Sequence, residues 1–259
     1  MNRIQWNNFV KARERFRGAV DELARSLPKL KTIQQQLADN RADGKNSSYT
    51  VETPVVYNSA IDEKTADDEI KLILVADNPG RREQAAENRR YLVGPSGKIA
   101  KKFFLDNPAL GIDFLKNVII LNKTPIHTPR TVELRELCRM EAQAGDGAIS
   151  ATCAISIALE ESQKTMAALL LEFHEALGTP VWITGYSEMK KGGIFEVYTE
   201  SLKELYSEKQ EKIKQIYFYR HFSMNQFTID LKQQALPGET LTKSLRRIGT
   251  AYRRRILNL

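Results

Sequence analysis

Four short apolar runs, Ile70 to Ala76, Val118 to Leu121, Pro180 to Thr184 and Gln215 to Tyr219, end at polar or glycine-bearing turns, with helical stretches between them. A strand that is apolar throughout must be covered on both faces, and strands that alternate with helices connect in parallel. The pattern predicts a three-layer α/β/α fold with a central four-stranded, mainly parallel sheet. In such a sheet the residues just past the carboxyl ends of the strands converge on one crevice. These are Asp77, Asn78 and Gly80; Asn122 and Lys123; Gly185 to Ser187; and Arg220, His221 and Ser223.

Before the first run, Trp6, Phe9, Phe16, Val20, Leu23, Leu27 and Leu30 recur at three- and four-residue steps, predicting an amphipathic helix from Arg3 to about Leu37 that Pro28 bends or divides. Asp39 to Thr53 is polar and turn-rich and reads as a linker. The chain thus divides into an N-terminal helical extension with its linker, residues 1–53, and an α/β domain, residues 54–259. Within that domain helices are expected near Lys98 to Asn107, Thr131 to Ala144, Ser150 to Leu177, Ile194 to Ile213 and Leu241 to Leu257. The last has a docking stripe of Leu241, Leu245, Ile248, Tyr252 and Ile256.

A net charge of +7 suits a polyanionic partner, because phosphate backbones recruit Lys and Arg through counterion release. Lys243, Arg246, Arg247, Arg253, Arg254 and Arg255 follow one another with no acid between them, either a nucleic-acid contact surface or a solvated helix face. Cys138 and Cys153 have no CxxC or Cys/His spacing, too few for an iron–sulfur or thiolate zinc site, and read as reduced thiols. No run approaches the roughly 18 apolar residues of a membrane span, and MNRIQWNNFV has no apolar signal core. The expectation is a cytoplasmic monomer without a membrane contact, a metal or a cofactor.

The crevice residues pair amides with a histidine and a glycine turn, and hold no carboxylate dyad, Ser/His/Asp set or metal cluster. That profile suits recognition of a planar amide ligand such as a nucleobase, combined with electrostatic catalysis. Asn78-Pro79-Gly80 taken alone is also an ordinary turn. Of the other histidines, His127 and His174 read as structural.

Five segments occur in order at expected strand or helix boundaries: Ala76-Asp77-Asn78-Pro79-Gly80, Arg90-Tyr91-Leu92-Val93-Gly94-Pro95-Ser96-Gly97, Ile119-Ile120-Leu121-Asn122, Ile183 to Gly192, and His221-Phe222-Ser223. Together they resemble the motifs of the uracil-DNA glycosylase superfamily over residues 70 to 230. The resemblance implies a base-excision DNA repair hydrolase that flips a uracil or related deaminated or mismatched base out of DNA. Asn78 would position the attacking water, His221 would stabilise the departing base, and Asp77 would stand in reserve as a water-polarising acid. Tyr91 would stack on the base, Asn122 would read its edge, and Gly80 would line its pocket. Gly185, Ser187, Lys190 and Ser223 would grip phosphates, and the stretch from Met224 to Phe227 would carry the wedge inserted into DNA. Two positions depart from the family pattern. Ala76 replaces its first Gly, an exchange expected to crowd the flipped nucleotide, and Phe222 replaces its Pro, removing a rigid turn behind the histidine. The alternatives are a DNA-binding member of the same fold without excision activity, and a phosphate- or nucleotide-binding α/β protein using Gly94 to Gly97 before a helix.

Overall fold

In a computed structural model of the chain, residues 1–41, 48–144 and 153–258 are described. Each apolar run forms a strand: β1 (Leu72–Ala76), β2 (Val118–Asn122), β3 (Val181–Thr184) and β4 (Ile216–Tyr219). They pair only in parallel, in the order β2-β1-β3-β4. The helices are α1 (Arg3–Ser26), α2 (Leu30–Asn40), α3 (Pro95–Asp106), α4 (Glu133–Ala144), α5 (Ala154–Leu177), α6 (Glu196–Tyr206), α7 (Gln210–Ile213), α8 (Gln226–Gln234) and α9 (Leu241–Leu257).

Period-two alternation sends successive strand residues to opposite layers. Ile73, Val75, Ile183 and Phe218 face a core shared with Phe9 and Phe16 of α1, Phe173 of α5 and Tyr198 of α6. Leu72, Leu74, Trp182 and Tyr219 face the other, with Phe103 and Phe104 of α3 and Phe227 of α8. This is the three-layer arrangement that the continuous apolar runs predict. The N-terminal helix divides where expected: Leu27 leaves the helical region with φ −120° and ψ 62°, as a residue before proline does. The long helix is observed from Ala154, and its expected start at Ser150 lies outside the described residues, as do residues 42–47 of the expected linker. Where one helix is expected around Ile194 to Ile213 there are two, α6 and α7. The sequence does not announce α8, which buries only Phe227, Asp230 and Leu231.

Strand β4 is one edge of the sheet, and α9 crosses it from one layer to the other. Leu245 and Ile248 join the α3 side, while Ile256 and Leu257 join the α1 side. Gly249 makes the crossing possible, since a Cβ there would stand 2.6 Å from Tyr217 Cβ and 2.7 Å from the Tyr219 hydroxyl. The edge is thereby covered, which denies it to strand pairing with another chain. No helix among the described residues is long and apolar enough to cross a membrane.

Candidate active site

Register sets the site. Ala76 lies opposite Asn122, Val75 opposite Ile183, and Thr184 opposite Tyr219, so all four strands end at one level. The next two residues of each strand, including Asp77 and Asn78, Lys123, Gly185 and His221, therefore emerge side by side.

Asn78 is half-buried, and its Nδ2 is committed to protein. It donates to Thr128 Oγ1 at 2.8 Å, with the Thr128 and Ile126 carbonyls at 3.3 and 3.4 Å. Those three oxygens and the Pro79 carbonyl at 3.4 Å fix the orientation of the amide. Its Oδ1 accepts no hydrogen bond from the described residues and is the end left to hold a water. The turn itself is braced from beneath. His127, fully buried, donates from Nδ1 to the Pro79 carbonyl at 2.9 Å and accepts at Nε2 from the Tyr49 hydroxyl at 2.8 Å. Burial lowers its pKa to about 4, opposed by the Pro79 and Gly80 backbone. Gln34 of α2 closes the brace by donating to the His127 carbonyl at 2.8 Å.

Glu83, which sequence reasoning passed over, joins the two glycine turns. Its carboxylate takes the N–H of Gly80 and backbone groups of Leu92, Val93 and Gly94. Burial still raises its pKa, against the pull of those donors. An acid in a polar loop reads as solvated, so only the converging amides reveal this one.

Asn122 closes β2 with 2% exposure, and its Oδ1 has no hydrogen-bond partner. A buried acceptor left unmade costs about 1–3 kcal/mol, so this oxygen is poised to take a donor. Beside it, Lys123 is fully buried and donates to the Asp77 carboxylate and, at 2.6 Å, to the Thr184 carbonyl. Thr131 donates to the other Asp77 oxygen at 3.3 Å. Asp77, expected in reserve to polarise water, is instead the counterion of Lys123. Its carboxylate also rests on Gly185, whose φ of +77° and lack of Cβ admit it.

His221 follows β4 and is half-buried. Its Nδ1 accepts from the Ser223 N–H at 3.0 Å and from the Ser223 hydroxyl at 2.8 Å. A nitrogen that accepts carries no proton, so the proton sits on Nε2. Burial lowers the pKa of His221, Asp77 opposes this, and Lys123 reinforces it. Phe222, expected to loosen this loop, anchors it. The ring is fully buried and stacks on Phe227 at 4.4 Å and 22°. The Ala76 methyl lies in the core with Leu72 and Leu74. Met224 and Asn225 then take left-handed φ of 51° and 59°, and the Met224 side chain is 82% exposed.

The expected phosphate grip is part solvent-facing. Ser187 and Lys190 are exposed, with the Lys190 ammonium 5.7 Å from the Tyr186 ring centroid, whereas the Ser223 hydroxyl is engaged with His221.

Tyr91 is the residue that the crevice does not receive. It is 2% exposed, its hydroxyl donates to the Val56 carbonyl at 2.6 Å, and its ring packs edge-on to Phe16 of α1. No face is left for a base to stack on. Leu92, with φ 54°, turns the chain there, and Gly97 packs directly on the Leu92 backbone. Of the six-residue basic run, Arg253 is spent on the Ile213 carbonyl at 2.8 Å and Arg247 on Glu239 at 2.7 Å. Lys243, Arg246, Arg254 and Arg255 are exposed. Cys138 and Cys153 are free thiols. His174 is buried between the Tyr206 hydroxyl and Gln215. Among the described residues there is no group of three or more His, Cys, Asp or Glu placed to hold a metal ion.

No protein-family model matches the chain, and no curated protein matches it either.

Proposed function

We propose that the chain is a monofunctional DNA glycosylase, similar to the uracil-DNA glycosylase superfamily, that hydrolyses the N-glycosidic bond of uracil or a related deaminated or mismatched base. The observation that carries this reading is the unpartnered, buried Oδ1 of Asn122, on a level with Asn78 and His221 at the strand ends. A pyrimidine edge supplies what that amide lacks: the N3–H donates to Oδ1, and O4 accepts from Nδ2. Asn78 Oδ1 holds a water against the sugar carbon. As the C1′–N1 bond breaks, the base leaves with the bonding pair, and its carbonyl oxygen takes the Nε2–H bond of His221. Water adds to C1′ and the base is released protonated. Flipping the base costs a few kcal/mol, drawn from the grip of Gly185, Ser187 and Lys190 on neighbouring phosphates.

The buried Tyr91 favours one other reading, a DNA-binding protein of this fold that has lost excision, because it takes the expected stacking ring out of the pocket. Single-turnover assays with a uracil-containing labelled oligonucleotide and excess protein separate the two. Release of free uracil above background supports the enzyme; binding without release replaces it with the second reading.

A further inference from the structure

The basic run on α9 is either a solvated helix face or a contact surface, and its surroundings decide between the two. Across its 17 residues α9 carries Lys243, Arg246, Arg247, Arg253, Arg254 and Arg255 and no acid. A solvated face usually mixes the two signs at three- and four-residue spacings. Other helices of this chain do so, with Lys102 and Asp106 paired on α3, Glu161 and Lys164 on α5, and Glu200 and Lys203 on α6. On α9, Lys243 instead stands three and four residues from Arg246 and Arg247, spacings at which like charges repel.

The acids that pack against α9 do not relieve this, because both are engaged inward. Glu239 keeps 14% of its side chain exposed between Arg247 and the Ser244 hydroxyl, each at 2.7 Å. Asp230 of α8, with 10% exposed, accepts from the Tyr252 hydroxyl at 2.8 Å and pairs with Arg220 at 3.3 Å. Lys243, Arg246, Arg254 and Arg255 are exposed and meet no carboxylate among the described residues.

The helix is also fastened to the strand-end crevice. Tyr252 packs on Tyr186, which directly follows Gly185, with ring centroids 4.3 Å apart. The Lys190 ammonium lies 5.7 Å from the same Tyr186 ring. The link from Tyr252 through Asp230 to Arg220 ends one residue before His221. Two aromatic rings and one ion pair thus join α9 to the phosphate grip of Gly185, Ser187 and Lys190. From Lys243 to Arg254 the helix rises about 16 Å, so its cations can follow several phosphates spaced about 3.4 Å apart along one strand. A bilayer fits this face less well. A helix lying in a membrane needs its apolar stripe free, and here Leu245, Ile248 and Ile256 are buried in the two cores.

We infer that α9 is a second DNA contact, holding the phosphate backbone of the duplex that flanks the nucleotide in the crevice through Lys243, Arg246, Arg254 and Arg255. This rests on the reading of the chain as a DNA-acting protein, but not on excision.

The test is binding of the full chain to an undamaged, fluorophore-labelled duplex over a series of salt concentrations. Each phosphate contact adds about 0.9 to the slope of log affinity against log salt. The fourfold variant Lys243→Gln/Arg246→Gln/Arg254→Gln/Arg255→Gln should therefore lower the slope by about 2 to 4 and weaken binding at about 0.1 M salt tenfold or more. A control removes four exposed charges from other elements, Arg3 and Lys11 of α1, Lys101 of α3 and Lys116 ahead of β2, each replaced by Gln. It should lower the slope by less than about 1. The inference stands if the α9 variant loses at least about 2 more in slope than the control. Any smaller difference overturns it, and one accompanied by lost binding to phosphatidylserine vesicles would assign the helix to a lipid surface. Thermal melts establish that each variant is folded. Should the fourfold variant unfold, Lys243→Gln/Arg246→Gln and Arg254→Gln/Arg255→Gln are measured separately and their summed loss is judged by the same limit. No duplex binding by the native chain would overturn the DNA reading and this inference together. Native binding that the α9 variant leaves unchanged would overturn the inference alone, and the expected slopes without uracil release would count against excision alone.

Discussion

The Ser223 N–H donates to Nδ1 of His221 at 3.0 Å, so the turn that follows β4 selects the tautomer of the histidine. The selection is made by backbone, and the serine hydroxyl only adds to it. Ser223→Ala should therefore cost less than tenfold in single-turnover excision, while His221→Ala should cost about 10²–10³-fold, the range for removing one such donor. Because burial lowers the His221 pKa, the acid limb of the rate should have its midpoint below the ordinary histidine value of about 6.5. An acid limb with its midpoint above about 6.5 would show that neutral His221 is not the group that sets it.

Asn78 faces carbonyls, which makes its amide hard to replace. In Asn78→Asp a carboxylate oxygen would meet the Ile126 and Thr128 carbonyls that now lie around Nδ2. The expected cost is about 1–3 kcal/mol of stability, the penalty for removing a donor from such acceptors. Asn78→Ala should lose excision and leave oligonucleotide affinity nearly unchanged. Urea unfolding and a binding titration check the two statements separately.

His127 gives the fold a pH dependence whose sign can be worked out. Its folded pKa, about 4, is below the unfolded value near 6.5, so between these pH values the unfolded chain binds a proton that the native one does not. Stability contributed by neutral His127 is complete above pH 6.5 and falls as pH drops toward 4, by up to about 3 kcal/mol. His127→Gln should be less stable at pH 7 and should show a shallower slope from pH 7 to pH 4.5 in urea melts. An unchanged slope would remove His127 from the account.

The layers and the site level were legible because continuous apolar runs have one solution, a sheet covered on both faces. Knowing where each strand ends is then enough to align Asn78, Asn122, Gly185 and His221. What was not legible depends on long-range partners. Tyr91 sits where a local motif can place it in a pocket, but its direction is set by the left-handed turn at Leu92 and by Phe16 of α1, 75 residues earlier in the chain. Asp77 reads as a free acid until Lys123 is seen against it. Arg253 reads as surface charge until its carbonyl partners, Ile213 of α7 and Ile216 of β4, are known.

Met224 separates folding from function. A non-glycine residue at φ 51° is strained by roughly 1 kcal/mol, and its exposed side chain recovers little of that by packing. Met224→Gly should thus leave stability unchanged or raise it by a few tenths of a kcal/mol up to about 1. If this side chain fills the gap left by a flipped base, the same variant should excise from duplex about tenfold more slowly than wild type, and from single strands at the native rate. Equal losses on both substrates would exclude the wedge role.

Phe222 supplies by packing what a proline would supply by its ring closure. With φ −68° its backbone already suits proline, so Phe222→Pro should keep the His221 turn and lose the aromatic stack. Loss of a fully buried phenylalanine costs about 3–5 kcal/mol, and Phe222→Ala should lose that amount together with the ordered turn. Phe222→Leu, which keeps most of the volume, should lose less than Phe222→Ala. The order of stability predicted from this geometry is wild type, then Leu, then Pro and Ala, and excision should follow the turn rather than the stability. Phe222→Pro should be more active than Phe222→Ala when both are assayed well below their melting temperatures. If Phe222→Ala excises as well as Phe222→Pro, the stack on Phe227 holds the core but not the histidine.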